Sequence, residues 1–264
     1  MAVDASFEHV RVRHSLPYSV RDLLSLPPLQ SLLEDPTSTT DLTPVSTETY
    51  ASLDYWRFRF TQESSKEWLA NYADLCVFLA AAVPRTARIL LVGNGNSSLP
   101  MDMADDGYEN ITATDYADTA VTVMSERTAA THPRIRWRVA DMLDLADFED
   151  ASFDVVFDKA AMDAVLAGRG DTWDPPEDLL LSTAAVARAA CRVLVPGGLY
   201  LQLSFAQKHF RKAYLCQEGI PWALQHVQSI PVGLGYFLYS LRRDGTAPPE
   251  LPLPPAASTA PPAS

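Results

Sequence analysis

At 264 residues, 47% hydrophobic and 20% charged, the chain is sized for one large core with appendages and has the balance of a globular protein. Its net charge of −12 argues against nonspecific nucleic-acid binding, which draws on a basic footprint; no apolar run approaches a membrane span, Leu75 to Val83 being the longest. Cys76, Cys191 and Cys216 form no C-x-x-C pair, which disfavours a disulfide framework or a zinc site and fits a reducing, cytoplasmic setting.

In chain order, residues 1–49 are rich in Pro, Ser and Thr and are expected to form a poorly ordered extension, with short helical pieces at Tyr18–Leu26 and Pro28–Leu33. Early Asp4 and Glu8, without a hydrophobic segment, predict no secretory signal; Arg11, Arg13, His14 and Arg21 leave organelle targeting as an alternative. From Ser64 to Val83, the recurrence of Trp68, Leu69, Tyr72, Leu75, Cys76 and Leu79 at three and four predicts an amphipathic helix closed by Pro84. Strands are expected at Ala87–Val92, Ile111–Asp115, Ile135–Val139 and Phe153–Asp158, then at Leu199–Phe205, Leu224–Ile230 and Tyr236–Arg242. Helices separate them at about Leu99–Asp105, Ala117–Thr131, Asp163–Leu166 and Leu179–Val195.

No helix is expected between the last strands, where Pro221, Pro231 and Gly233-Leu234-Gly235 favour a hairpin. Residues 244–264, dominated by Pro and Ala, read as a disordered tail. The alternation predicts an α/β fold: a Rossmann-like, doubly wound, seven-stranded and mostly parallel sheet, with an antiparallel C-terminal strand. Its expected bounds are residues 50–243.

Arg88 to Val92 breaks into Gly93-Asn94-Gly95-Asn96-Ser97, and a second strand ends on Asp115. Gly93 and Asp115 have roughly the twenty-residue separation at which an acidic side chain grips the ribose of a bound nucleoside. The third glycine that supports a pyrophosphate in dinucleotide folds is missing, which favours S-adenosylmethionine over NAD. Asp115 is then a ribose acceptor, or a cap for the next helix, with Tyr116 as a flat wall. Asp141 and Met142, after the third strand, are placed to meet the adenine. Asp158-Lys159-Ala160-Ala161 closes the fourth strand on the transfer side. Lys159 is expected to bind the methionine carboxylate or to pair with Asp158, and Asp158 and Asp163 are the candidate catalytic bases by position. The groups argue for no metal.

Asp54-Tyr55-Trp56-Arg57-Phe58-Arg59-Phe60, Glu67-Trp68 and the Gly93–Ser97 turn fall in the order seen in lysine methyltransferases of translation elongation factor 1-alpha. Phe153–Lys159, Met162–Gly168, Val193-Leu194-Val195-Pro196-Gly197-Gly198 and His209-Phe210-Arg211 continue the likeness. The chain thus resembles that family over roughly Tyr50 to Arg243. The resemblance implies cofactor contacts from Trp56, Phe60 and Trp68, beside Gly93, Gly95, Asp115, Tyr116, Asp141, Met142 and Lys159. It further implies methyl transfer to a lysine of a basic protein substrate resembling elongation factor 1-alpha; the charge and the lack of a long apolar run are what argue against nucleic acid and membrane as partners. The chain departs from the family's usual Tyr at Phe60, Cys at Asn94 and Gly-Thr at Ala160-Ala161. A small-molecule acceptor, and a cofactor-fold protein that binds without catalysis, remain the alternative readings. The loop Gly170–Asp178 is the candidate landing place for a basic surface.

Overall fold

A computed structural model describes residues 42–168 and 173–245, most of them in a compact unit that begins at Pro44. The helical pieces expected at Tyr18–Leu26 and Pro28–Leu33, and the tail beyond residue 245, lie outside the described residues. A 3-10 turn at Thr47–Ala51 leads into α1 (Leu53–Gln62) and α2 (Tyr72–Ala82). The alternating part comes next: β1 (Arg88–Val92), α3 (Leu99–Asp105), β2 (Asn110–Asp115), α4 (Asp118–Thr128), β3 (Arg136–Val139) and β4 (Phe153–Lys159). Then come α5 (Ala161–Leu166), α6 (Glu177–Val193), β5 (Leu194–Ser204), α7 (Lys208–Leu215), β6 (Trp222–Ile230) and β7 (Tyr236–Arg243).

The seven strands form one sheet in the order β3-β2-β1-β4-β5-β7-β6, parallel except for β7, which runs antiparallel to both β5 and β6. This is the expected doubly wound α/β architecture. β1 is buried at four consecutive positions because both faces of a central parallel strand are covered. Its side chains alternate between two cores. Ile89 and Leu91 join Leu75 and Leu79 of α2, Leu99 of α3 and Met124 of α4, whereas Leu90 and Val92 join Leu179 and Val186 of α6 and Leu215 of α7. At the outer edge, exposed Arg136 and Arg138 on β3 put charge where a further strand would otherwise pair.

Helical expectations differ from the structure in three places, the first being α1, where no helix is expected from the sequence. The helix expected from Ser64 begins only at Tyr72, because Asn71 and Asp74 form a reciprocal capping box that starts it there. Just upstream, Leu69 adopts a left-handed conformation at φ 66° that no helix accommodates, so Trp68 lies on a non-helical strap and not on an amphipathic stripe. The unexpected helix between β5 and β6 is α7; its buried face carries Arg211 beside Tyr214 and Leu215, and that charge interrupts the apolar periodicity. Among the described residues no helix is long and apolar enough to cross a membrane.

Candidate functional site

The chain leaves β1 at Val92 and turns at Gly93 and Gly95, whose φ values of 58° and 54° lie in the left-handed region that glycine enters freely. Asp115, at the end of β2, sits beneath this turn. Its Oδ2 accepts from the Gly95 amide at 2.8 Å and its Oδ1 from the Ala117 amide at 2.9 Å. The side chain therefore holds the turn and the start of α4 together, and its carboxylate keeps acceptor capacity beyond these backbone amides. Burial pushes its pKa up to about 6, against the pull of the Ala117, Gly95 and Tyr116 amides.

A cavity of about 550 Å³ opens at the C-terminal ends of β1, β2 and β4, where ligands collect in open α/β sheets. Gly93, Gly95, Asp115 and Tyr116 line one side and Asp141 and Met142 another; Lys159 closes the end near β4. Trp56, Phe60 and Trp68 supply an aromatic wall. All ten residues expected at the cofactor thus border one cavity. Trp56 stacks on Phe60 with centroids 5.5 Å apart, meets Trp68 edge-on at 6.0 Å, and donates its indole N–H to the Tyr50 carbonyl at 2.7 Å. Phe60 in turn lies against the glycine turn: a Cβ on Gly95 would come within 2.9 Å of its ring. Tyr50 and Phe205 also line the cavity, and no motif in the sequence marks them; the edge-to-face packing of Tyr50 on Trp68 at 5.7 Å is the contact that brings it in.

The two candidate bases separate. Asp158 is fully buried and does not border the cavity. It accepts from the amides of Ala161 and Met162, from Gln202 at 2.7 Å and from the Tyr200 hydroxyl at 3.1 Å, so it caps α5 instead of facing a substrate. Nor does it pair with Lys159, whose ammonium donates to Glu67 Oε2 at 2.9 Å and to the Trp68 carbonyl at 3.0 Å. Asp163 does border the cavity, but its carboxylate is engaged by the Arg211 guanidinium and by the Ser204 hydroxyl at 2.8 Å. Burial raises the Asp163 pKa, while Arg211 and the Ser204 and Phe205 donors oppose the rise. Both contacts fall on Oδ1 of this buried ion pair, and its Oδ2 is buried without a hydrogen-bond partner; Asp158 is committed to capping α5, whereas Asp163 keeps one carboxylate oxygen uncommitted.

Ala160 carries the clearest local strain, at φ 69° and ψ 0°, directly before α5. A left-handed non-glycine residue costs about 1–2 kcal/mol, whereas glycine enters this region freely. Ala160→Gly is therefore expected to stabilise the fold by about 1 kcal/mol, net of the added chain entropy of glycine, as read from the urea midpoint. No gain in midpoint would mean the strain is relieved elsewhere. Of the loop Gly170–Asp178, residues 170–172 lie outside the described residues. Its Trp173 is exposed and packs edge-on against Phe210 at 4.9 Å.

S-adenosylmethionine fits this lining. Asp115 and Asp141 provide acceptors for hydroxyls and an amine, the rings of Trp56, Phe60 and Trp68 provide faces that attract a cation, and Lys159 has one N–H beyond the two it commits to Glu67 and Trp68. The ribose hydroxyls would donate to Asp115, so binding needs its ionised form. Affinity for S-adenosylhomocysteine is accordingly expected to fall as pH drops below about 6, roughly tenfold per pH unit. A calorimetric titration series from pH 8 to 5 reads this, and a flat profile would remove Asp115 from the site. Among the described residues no group of His, Cys, Asp and Glu could hold a metal ion.

A family model described as a methyltransferase domain matches residues 90–201. Over 180 residues the chain is 33% identical to EEF1A lysine methyltransferase 4 of Mus musculus, covering 67% of this chain and 70% of the relative. It is 37% identical over 184 residues to eEF1A lysine and N-terminal methyltransferase of Bos taurus, covering 68% of this chain but only 25% of that longer protein. Among solved structures, the 1,6-didemethyltoxoflavin-N1-methyltransferase of Burkholderia thailandensis, crystallised with S-adenosylhomocysteine, superposes with a TM-score of 0.52 at 16% identity, covering 76% of this chain and 92% of its own. The [4+2]-cyclase SpnF superposes at 0.51 and 13% identity, covering 75% and 96%. These two likenesses concern the fold alone, and a cyclase among them illustrates how one scaffold carries different reactions.

Proposed function

The chain belongs to the family of S-adenosylmethionine-dependent eEF1A lysine methyltransferases, and from that premise we propose that it transfers a methyl group to a lysine of a protein resembling elongation factor 1-alpha. The observation that carries the reading is a single cavity bordered by the turn over Asp115 and by the aromatic wall, in a chain 33% identical to a curated lysine methyltransferase over most of both lengths. When bound, the cofactor supplies a methyl carbon already activated by its positive sulfur. The residues have positioning and dehydration left to do.

In this reading Asp115 orients the ribose, Asp141 and Met142 receive the adenine, and Lys159 takes the carboxylate. Trp56, Phe60 and Trp68 face the sulfonium side, and their apolar surfaces exclude water. An incoming lysine amine is drawn into the same apolar surroundings, with Phe205 at its border. Burial disfavours the charged ammonium and so helps present the neutral amine needed for in-line attack. The net charge of −12 suits a basic protein acceptor, because opposite charge speeds encounter. We place this activity in the cytoplasm, where such a substrate works.

The test is to incubate the protein with methyl-labelled cofactor and a cell lysate. Label in a protein band near the mass of elongation factor 1-alpha is the expected result. Label confined to the small-molecule fraction would instead support a small-molecule acceptor.

A further inference from the structure

Glu67 stands at the centre of a cluster that the cofactor reading leaves unexplained. It precedes Trp68 on the non-helical strap between α1 and α2, and its carboxylate crosses to the glycine turn. Oε1 accepts from the Ser98 amide at 2.5 Å, and both oxygens lie within 3.0 Å of the Ser97 hydroxyl. Oε2 also receives the Lys159 ammonium at 2.9 Å from a residue 92 positions along the chain. Three of its surroundings, Ser97, Trp68 and Lys159, border the cavity. The Lys159 side chain is 7% exposed and that of Glu67 25%. Burial works against the Glu67 carboxylate, yet Lys159, Ser97 and Ser98 outweigh it and hold its pKa below the usual range. Burial lowers the Lys159 pKa against the opposing pull of Glu67; the ion pair sits at one end of the cavity, with Lys159, though not Glu67 itself, among the lining residues.

A plain staple between strap and turn would not need Lys159, because Ser97 and Ser98 already fasten the carboxylate. The ammonium keeps one uncommitted proton, and the Glu67 carboxylate, which receives three donors on its two oxygens, keeps one acceptor position. An adjacent, oppositely charged pair is complementary to a zwitterion, and the amino-acid end of the cofactor is one. We propose that Glu67 and Lys159 together read that zwitterion, Glu67 accepting from its α-ammonium while Lys159 donates to its α-carboxylate. This rests on the cofactor reading proposed for the cavity. Glu67 is then the residue that distinguishes a complete amino-acid chain from a bare thionucleoside.

The test compares three probes by calorimetry: S-adenosylhomocysteine, its des-amino analogue that keeps the carboxylate, and 5′-methylthioadenosine, which has neither group. The wild-type protein is expected to bind the des-amino analogue at least about tenfold more weakly than S-adenosylhomocysteine, a comparison that needs no variant. Glu67→Gln keeps an oxygen for Ser98 but loses the charge. It should lower S-adenosylhomocysteine affinity by about tenfold, leave methylthioadenosine within twofold, and bind the des-amino analogue as well as wild type or better, since Lys159 is then uncompensated. Equal losses for all three probes would reduce Glu67 to a staple. Wild-type discrimination of less than twofold between S-adenosylhomocysteine and its des-amino analogue would overturn the proposal outright. Failure of wild type to bind any of the probes would instead overturn the cofactor reading on which the proposal stands.

Discussion

Asp115→Ala is expected to weaken S-adenosylhomocysteine binding by about a hundredfold or more. Two hydrogen bonds from ribose hydroxyls to a carboxylate are each worth about 1.5–3 kcal/mol, and together they exceed the roughly 2.7 kcal/mol of a hundredfold change. The substitution has a second effect, because the same oxygens hold the Gly95 and Ala117 amides at 2.8 and 2.9 Å. Deleting them leaves buried donors without partners, at about 1–3 kcal/mol of stability. Asp115→Asn separates the two effects: its amide oxygen can hold one backbone donor while the charge is lost. It should retain most of the melting temperature, bind the cofactor product weakly, and lose the decline in affinity below pH 6. If Asp115→Asn bound as tightly as wild type, the carboxylate would serve only as a turn and helix cap.

Gly93→Ala has the larger expected effect on folding. The backbone there lies at φ 58°, which costs a non-glycine residue about 1–2 kcal/mol. A Cβ at Gly93 would also lie 2.4 Å from the Ala161 Cβ, so α5 must move away from the turn. The two terms together predict a loss of about 2–4 kcal/mol and a melting temperature lower by about 10 °C. Gly107 is the natural control, with φ 90° and no atom within 4 Å of where its Cβ would stand. Gly107→Ala should show only the backbone cost. If both substitutions lowered the melting temperature equally, the close packing of the turn on α5 would carry no energetic weight.

That contact also explains why the departure of this chain at Ala160-Ala161 matters. Ala161 is the neighbour against which the glycine turn packs, and Ala160 sets the left-handed corner that delivers it. A change on the transfer side is therefore transmitted to the turn itself.

The parts of the site legible in the sequence are those fixed by local geometry. The Gly93 turn followed by Asp115 is readable because strand, turn, helix and strand consume a nearly constant length of chain. The fold class is readable because central strands buried on both faces give unbroken apolar runs such as Ile89–Val92. The features hidden from the sequence are those set by distant partners. By sequence Lys159 is open between Asp158, its neighbour, and a ligand, whereas its ionic partner is Glu67 on a strap that the apolar period disguises as helix. Asp163 is recognisable as a carboxylate near the transfer side, but its ion pair with Arg211 depends on α7, nearly fifty residues further along the chain, delivering that side chain. The charge of Arg211, buried by that pairing, is the same feature that hides α7 from its hydrophobic pattern. Trp68 borders the cavity through the left-handed turn at Leu69, a conformation no propensity favours.

The most direct measurement of the proposed activity is mass spectrometry of purified elongation factor 1-alpha after incubation with this protein and methyl-labelled S-adenosylmethionine. A labelled methyl group on a lysine side chain is expected, absent from a parallel reaction with Asp115→Asn. Cofactor binding by calorimetry with no label on any lysine of that protein would contradict it.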